Sequence, residues 1–145
     1  MSLDDLYQEV ILDHFRKPRC NGCIEHAAQH ATLYNPLCGD QVDLTLEVKD
    51  GKVTDIAFKG HGCSISQASA SMMSEVCKGR DVKEVKGLGD SFRAMLRGEK
   101  SGEDLPELGD AVALEGVRKF SARVKCALLA WEALDKCIEQ AQEKK

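Results

Sequence analysis

Cys38-Gly39-Asp40, Gly60-His61-Gly62-Cys63 and Arg123-Val124-Lys125-Cys126 set potential metal ligands beside glycines or cations at three separate points of the chain. Three thiolates and one carboxylate make a four-ligand set suited to a tetrahedral zinc ion. Gly39 lets the backbone turn so that Cys38 and Asp40 can face one point, and Gly60 and Gly62 give the same freedom before Cys63. Cys63 and Cys126 are expected in or just before a first helical turn, where free N–H groups and the helix dipole stabilise a thiolate. Arg123 and Lys125 add positive charge nearby. Any one of these cysteines, taken alone, reads more readily as a buried core residue than as a ligand. Their shared placement at the ends of elements, outside the apolar stripes, favours a metal centre.

The elements that must position them follow from periodicity. Residues 3–16 carry Leu3, Leu6, Tyr7, Val10, Ile11 and His14 at helical spacing and stop before Pro18. Residues 19–30 show no period and read as loop. A short strand is expected at 31–34, and Val42, Leu44, Leu46 and Val48 alternate as a strand that pairs with Thr54, Ile56 and Phe58. A three-residue loop, Lys49-Asp50-Gly51 with a bulge at Gly51, would set Leu44 opposite Ile56 and Val42 opposite Phe58, keeping one face apolar. Further helices are predicted at 64–78, near 89–97, near 106–117 and at 122–142. The result is one α+β domain over residues 1–145: a small three-stranded antiparallel sheet packed against several helices. In such a meander Cys38 and Cys63 fall at the same end of the sheet, and the last helix can carry Cys126 to them.

Composition narrows the classes of function. The chain has 145 residues, 43% of them hydrophobic, enough for one domain with a core. A net charge of −4 argues against nucleic acid as the main ligand. No apolar run has the length of a membrane span, and the acidic, amphipathic start does not resemble a signal peptide. The expected compartment is cytoplasmic. Seven cysteines in such a chain point to metal or thiol chemistry rather than to disulfides.

The blocks LYQEVILDHF, NPLCGD, GHGCSISQASASMMSE, LPELGDAVALEGV and KFSARVKCALLAWEAL resemble the SufU-type iron–sulfur assembly proteins, within the wider IscU-like and NifU N-terminal domain family. The resemblance runs from Leu3 to Leu134. It implies a compact α+β domain with one zinc per chain on Cys38, Asp40, Cys63 and Cys126. Two features separate the subtypes. IscU-type scaffolds carry a His just before their third cysteine, where this chain has Lys125, and GLGDSFRAMLRG resembles the insertion typical of SufU proteins.

The resemblance thus implies a zinc-dependent sulfurtransferase, a co-substrate that takes persulfide sulfur onto Cys38 from a SufS-type cysteine desulfurase and stimulates it. On docking, a His of that desulfurase would replace Cys38 at the metal and free its thiolate. Sulfur would then pass to downstream iron–sulfur assembly proteins. Asp40 is expected to tune this exchange, and Arg123 to pair with Asp40 or the released thiolate. The alternative function is a scaffold holding iron and a [2Fe–2S] cluster on the same ligands.

Other residues carry weaker signals. Cys20-Asn21-Gly22-Cys23 with His26 and His30 could form a second metal site or a redox pair, but the spacing between Cys23 and His26 is far shorter than in zinc fingers. Cys77 and Cys137 read as packing residues, and His14 as a core histidine with partners. The Ser and Ala run at 66–71 reads as a surface for close helix packing.

Overall fold

The computed structural model describes residues 3–36 and 39–143, so Leu37 and Cys38 lie outside the described residues. Helix α1 (Leu3–Arg16) precedes three strands, β1 (Gln29–Asn35), β2 (Asp40–Lys49) and β3 (Lys52–His61). Helices α2 (Ser64–Cys77) and α3 (Val82–Leu96) follow, then two 3₁₀ segments (Gly102–Asp104 and Pro106–Lys119) and helix α4 (Ser121–Glu143). The strands form one antiparallel sheet in the order β1-β2-β3. This is the expected α+β architecture.

The alternating apolar residues of the hairpin define the face on which the helices pack. Val42, Leu44 and Leu46 of β2 and Ile56 and Phe58 of β3 are at most 1% exposed. Helix α4 lies across β1 and β2, and α2 packs between α1 and α4. Helix α2 can sit at the centre because its Ser and Ala residues are small. Ser69 donates to the Ala127 carbonyl of α4 at 2.6 Å, and Ser74 to Ala70 at 2.8 Å, so the buried hydroxyls are satisfied. Midway along α4, Trp131 stacks on Phe92 of α3 with centroids 4.6 Å apart.

Two expectations are corrected. The β2–β3 turn has two residues, with Lys49 opposite Lys52, Leu46 opposite Ile56 and Leu44 opposite Phe58, rather than Leu44 opposite Ile56 and Val42 opposite Phe58. Asp50 and Gly51 both have positive φ (54° and 77°), the geometry of a type I′ turn whose twist matches the strands. The extra residue is Thr54, placed between the pairs Val48–Val53 and Glu47–Asp55. A bulge there restores the apolar face that an unbroken two-residue hairpin would have scrambled. Helix α3 also begins at Val82, seven residues before the expected patch, because Val85 and Leu88 extend the buried stripe of Phe92, Met95 and Leu96. The segment 106–119 is 3₁₀ and is broken at Gly109, where φ is 57°.

Candidate metal centre

The site forms where one end of the sheet meets the starts of α2 and α4. Asn35 ends β1 and pairs with Asp40, which opens β2. Opposite, β3 closes with Gly60 beside Val42 and His61 beside Gln41, which brings Cys63 back towards Asp40. The Asp40 carboxylate, 1% exposed, accepts the Cys63 backbone N–H on Oδ1 at 2.7 Å. Its other oxygen, Oδ2, faces the Cys63 sulfur at 3.7 Å.

Gly62 makes this approach possible. Its φ is 137°, and a Cβ there would lie 2.3 Å from Asp40 Oδ1 and 2.7 Å from Asp40 Cα. Any other residue at 62 would drive the carboxylate away. Gly39 has a φ of 68°, the left-handed turn expected beside Asp40.

Cys63 is the N-cap of α2, and its sulfur accepts the Ser66 backbone N–H at 3.5 Å. The expected helix-terminus position is therefore found at Cys63. It is not found at Cys126. That residue is the sixth of α4, and its sulfur lies 3.8 Å from the Ala122 carbonyl one turn earlier, past the helix end and its free N–H groups. The Cys126 side chain is fully buried, and Asn35 donates its side-chain amide to the sulfur at 3.7 Å.

One donor atom from each of Asp40, Cys63 and Cys126 lies within 4.8 Å of the others. Tetrahedral ligands at ordinary Zn–S and Zn–O distances sit about 3.5 Å apart for S···O. The 3.7 Å between Cys63 and Asp40 therefore fits the ion, as does the soft, anionic donor chemistry. Arg123 is exposed in the first turn of α4 and lines an apolar groove with Ile11, Ile65, Val117 and Phe120. Lys125 is exposed one residue before Cys126, and His61 is exposed at the end of β3.

A second group of potential ligands, His14, Glu75 and Asp110, is also close-set. His14 is fully buried, with Nδ1 at 2.7 Å from Ser71 Oγ and Nε2 at 2.8 Å from Asp110 Oδ2. Nε2–H donates to the Asp110 carboxylate, and Nδ1 shares a hydrogen bond with the Ser71 hydroxyl, which also accepts the Arg19 N–H. Both ring nitrogens are committed to structure.

Cys20, Cys23, His26 and His30 belong to neither of the two metal-competent groups among the described residues. Cys20 is half-buried and its carbonyl accepts the Phe58 N–H at 3.0 Å, while Cys23 is exposed. Burial pushes the Cys20 thiol above its ordinary value. Cys77 and Cys137 are fully buried, and burial pushes their thiols up to about 12, so both are inert packing groups. Asn35 escaped the sequence reading. It stood next to Pro36 as an ordinary loop residue, and only the β1–β2 pairing shows that it turns inward.

Comparison with known proteins adds the family. Residues 6–127 match the model of the NifU-like N-terminal domain. The chain belongs to the NifU-like N-terminal domain family. It is 43% identical to the zinc-dependent sulfurtransferase SufU of Bacillus subtilis, covering 97% of this chain and 95% of that protein. It is 40% identical to the iron–sulfur cluster assembly scaffold protein IscU of Streptococcus pyogenes, covering 96% and 86%. Among solved structures it superposes with a TM-score of 0.83, at 33% identity, on an iron–sulfur cluster assembly scaffold protein for the SUF system from Fervidobacterium islandicum, covering 92% of this chain and 97% of that one. The fold and the SufU-type resemblance are thereby both borne out.

Proposed function

We propose that this protein serves iron–sulfur cluster assembly as a zinc-dependent sulfur acceptor, with Cys38 receiving sulfur from a SufS-type cysteine desulfurase. The observation that carries the reading is the convergence of Asp40, Cys63 and Cys126 within 4.8 Å, from three different elements. Cys38, two residues before Asp40, would complete a four-ligand set. The bound zinc would supply charge that keeps its thiolate ligands deprotonated at neutral pH, without redox chemistry of its own.

In the transfer, the Cys38 thiolate attacks the outer sulfur of the desulfurase persulfide. A new S–S bond forms on Cys38, the old one breaks, and the desulfurase cysteine leaves as a thiolate. The terminal proton stays on the transferred sulfur, so no oxidant or reductant is consumed. Asp40, fixed by the Cys63 N–H, and the buried Cys126 would hold the metal while Cys38 reacts. Arg123, one turn before Cys126, would offset negative charge on Asp40 or Cys38. Lys125 in the position where scaffolds of the IscU type carry His, and the name of the Bacillus relative, both support transfer over scaffolding.

The 40% identity to a protein named as a scaffold supports a second reading, in which iron and sulfide are assembled on the same ligands. Anaerobic purification separates the two: the acceptor is a colourless zinc protein, the scaffold a brown one. The direct test is Cys38→Ala assayed with a cysteine desulfurase. Stimulation is expected to fall at least tenfold, and the persulfide mass on this chain to vanish. Full stimulation by the variant would refute the proposal.

A further inference from the structure

We infer that Gln67 is a positioning residue of the metal centre: its buried amide ties the first turn of α2 to the start of β2 and so sets the separation of Cys63 from Asp40. The inference rests on the reading of those two residues as metal ligands. They come from different segments, since Asp40 opens β2 and Cys63 caps α2. The Cys63 N–H holds the carboxylate, but a single bond of that kind leaves the helix free to pivot about it. Gln67 supplies a second point of attachment. Its Nε2 donates to the Ser66 hydroxyl at 3.1 Å and to the Gln41 carbonyl at 3.4 Å. Gln41 directly follows Asp40 in β2, and Ser66 is the residue whose N–H serves the Cys63 sulfur at 3.5 Å. One amide thus grips a neighbour of each ligand.

The orientation of the amide follows from its partners. A carbonyl oxygen only accepts, so the nitrogen of Gln67 is the atom that faces Gln41. The Ser66 hydroxyl gives its own hydrogen to the Cys63 carbonyl at 3.1 Å, so it too accepts from Nε2. Bonds aligned head to tail from Gln67 through Ser66 to Cys63 reinforce one another. Ser66 is fully buried and Gln67 is 7% exposed. Burying an amide costs free energy that its hydrogen bonds must offset, and an apolar side chain would fill the same space without that cost. What the amide adds is direction. The third segment closes on the same point: β3 passes at Gly60, where a Cβ would lie 2.2 Å from the Gln41 oxygen and 3.1 Å from Gln67 Oε1.

The test uses the full chain with Gln67→Met, which keeps the length and loses the donor, and Gln67→Glu, which keeps the shape and turns an acceptor towards the Gln41 carbonyl. Cys63→Ser is measured beside them. In competition with a chromophoric chelator, both Gln67 variants are expected to bind zinc about tenfold more weakly, the low end for a partner outside the ligand set. With cobalt in place of zinc, the d–d bands that report ligand geometry should shift, while the thiolate-to-cobalt intensity stays native because no sulfur is removed. Cys63→Ser should lower that intensity, by about a third if Cys38, Cys63 and Cys126 each contribute one thiolate. Unchanged intensity there refutes the ligand reading itself. A normal loss there, with Gln67 variants that keep native affinity and d–d bands, refutes the positioning role alone, whatever their urea midpoint. A measurement on the unsubstituted chain covers the case of variants that do not fold. If the Gln67 bonds tighten zinc, zinc must tighten those bonds by the same factor, so the Gln67 side-chain amide protons should exchange with solvent about tenfold more slowly with zinc bound than without. Equal exchange in the two states overturns the inference.

Discussion

At the scale of single residues the site depends on one missing side chain. Gly62 is where the chain returns from β3 to the helix cap, and the Asp40 carboxylate occupies the space a Cβ would need. The clash at 2.3 Å involves an acid already held by the Cys63 N–H, so the acid cannot rotate away without losing that bond. Gly62→Ala is therefore expected to cost about 1–3 kcal/mol of stability through its positive φ, and to weaken zinc binding at least tenfold by displacing Asp40. Urea unfolding and chelator competition measure the two effects. Loss of stability with native zinc affinity would show that Asp40 does not depend on the glycine. Placement at element ends beside glycines and cations singled out Asp40, Cys63 and Cys126 as candidate ligands. It could not reveal Asn35, because an amide's role as donor depends on which way a strand end faces.

At the scale of elements, the helices and strands were legible because their apolar residues recur at 3.6 or 2. The register was less so. Alternation in β2 and β3 required one extra residue somewhere in the hairpin, but did not say whether it stood at Gly51 or at Thr54. The start of α3 lay outside the expected patch near 89–97; Gly87 is exposed within the helix, while Gly89 is buried with Trp131 3.8 Å from where a Cβ would sit. Periodicity also could not show how α1 is fastened. Its last turn is tied to α2 and to the 106–119 segment through one ring, by the Ser71 and Asp110 bonds of His14. His14→Ala should open a cavity and remove both bonds, at a cost of about 2–4 kcal/mol. The measurement is the urea midpoint, alongside zinc content, which should stay at that of the unaltered chain since no metal ligand touches this ring. A fall in zinc content with little change in stability would instead make the His14 cluster part of the metal chemistry.

At the scale of the whole molecule the candidate metal centre and the apolar core are separate. Trp131, Phe92, Leu134 and the sheet face bury their surface along the length of α4, while Asp40, Cys63 and Cys126 cluster near its beginning. Zinc would thus join the start of β2 and the cap of α2 to the second turn of α4, which the core already brings together, rather than create the fold. Without the metal the donors retain partners: the Cys63 thiol can donate to Asp40 at 3.7 Å and the Cys126 thiol to Ala122 at 3.8 Å. Stripping zinc is therefore expected to leave the far-ultraviolet circular dichroism at 20 °C within about a tenth of its loaded value. The melting temperature should still fall, since free zinc at roughly a thousand times Kd stabilises by about 4 kcal/mol, or roughly 10 °C for a chain of this size. Hydrogen exchange should locate the loss at the first turns of α2 and α4, with the Trp131 region still protected. Global unfolding on chelation would instead make the zinc a structural staple, and a ligand that must come free to accept sulfur would then be hard to reconcile with the fold.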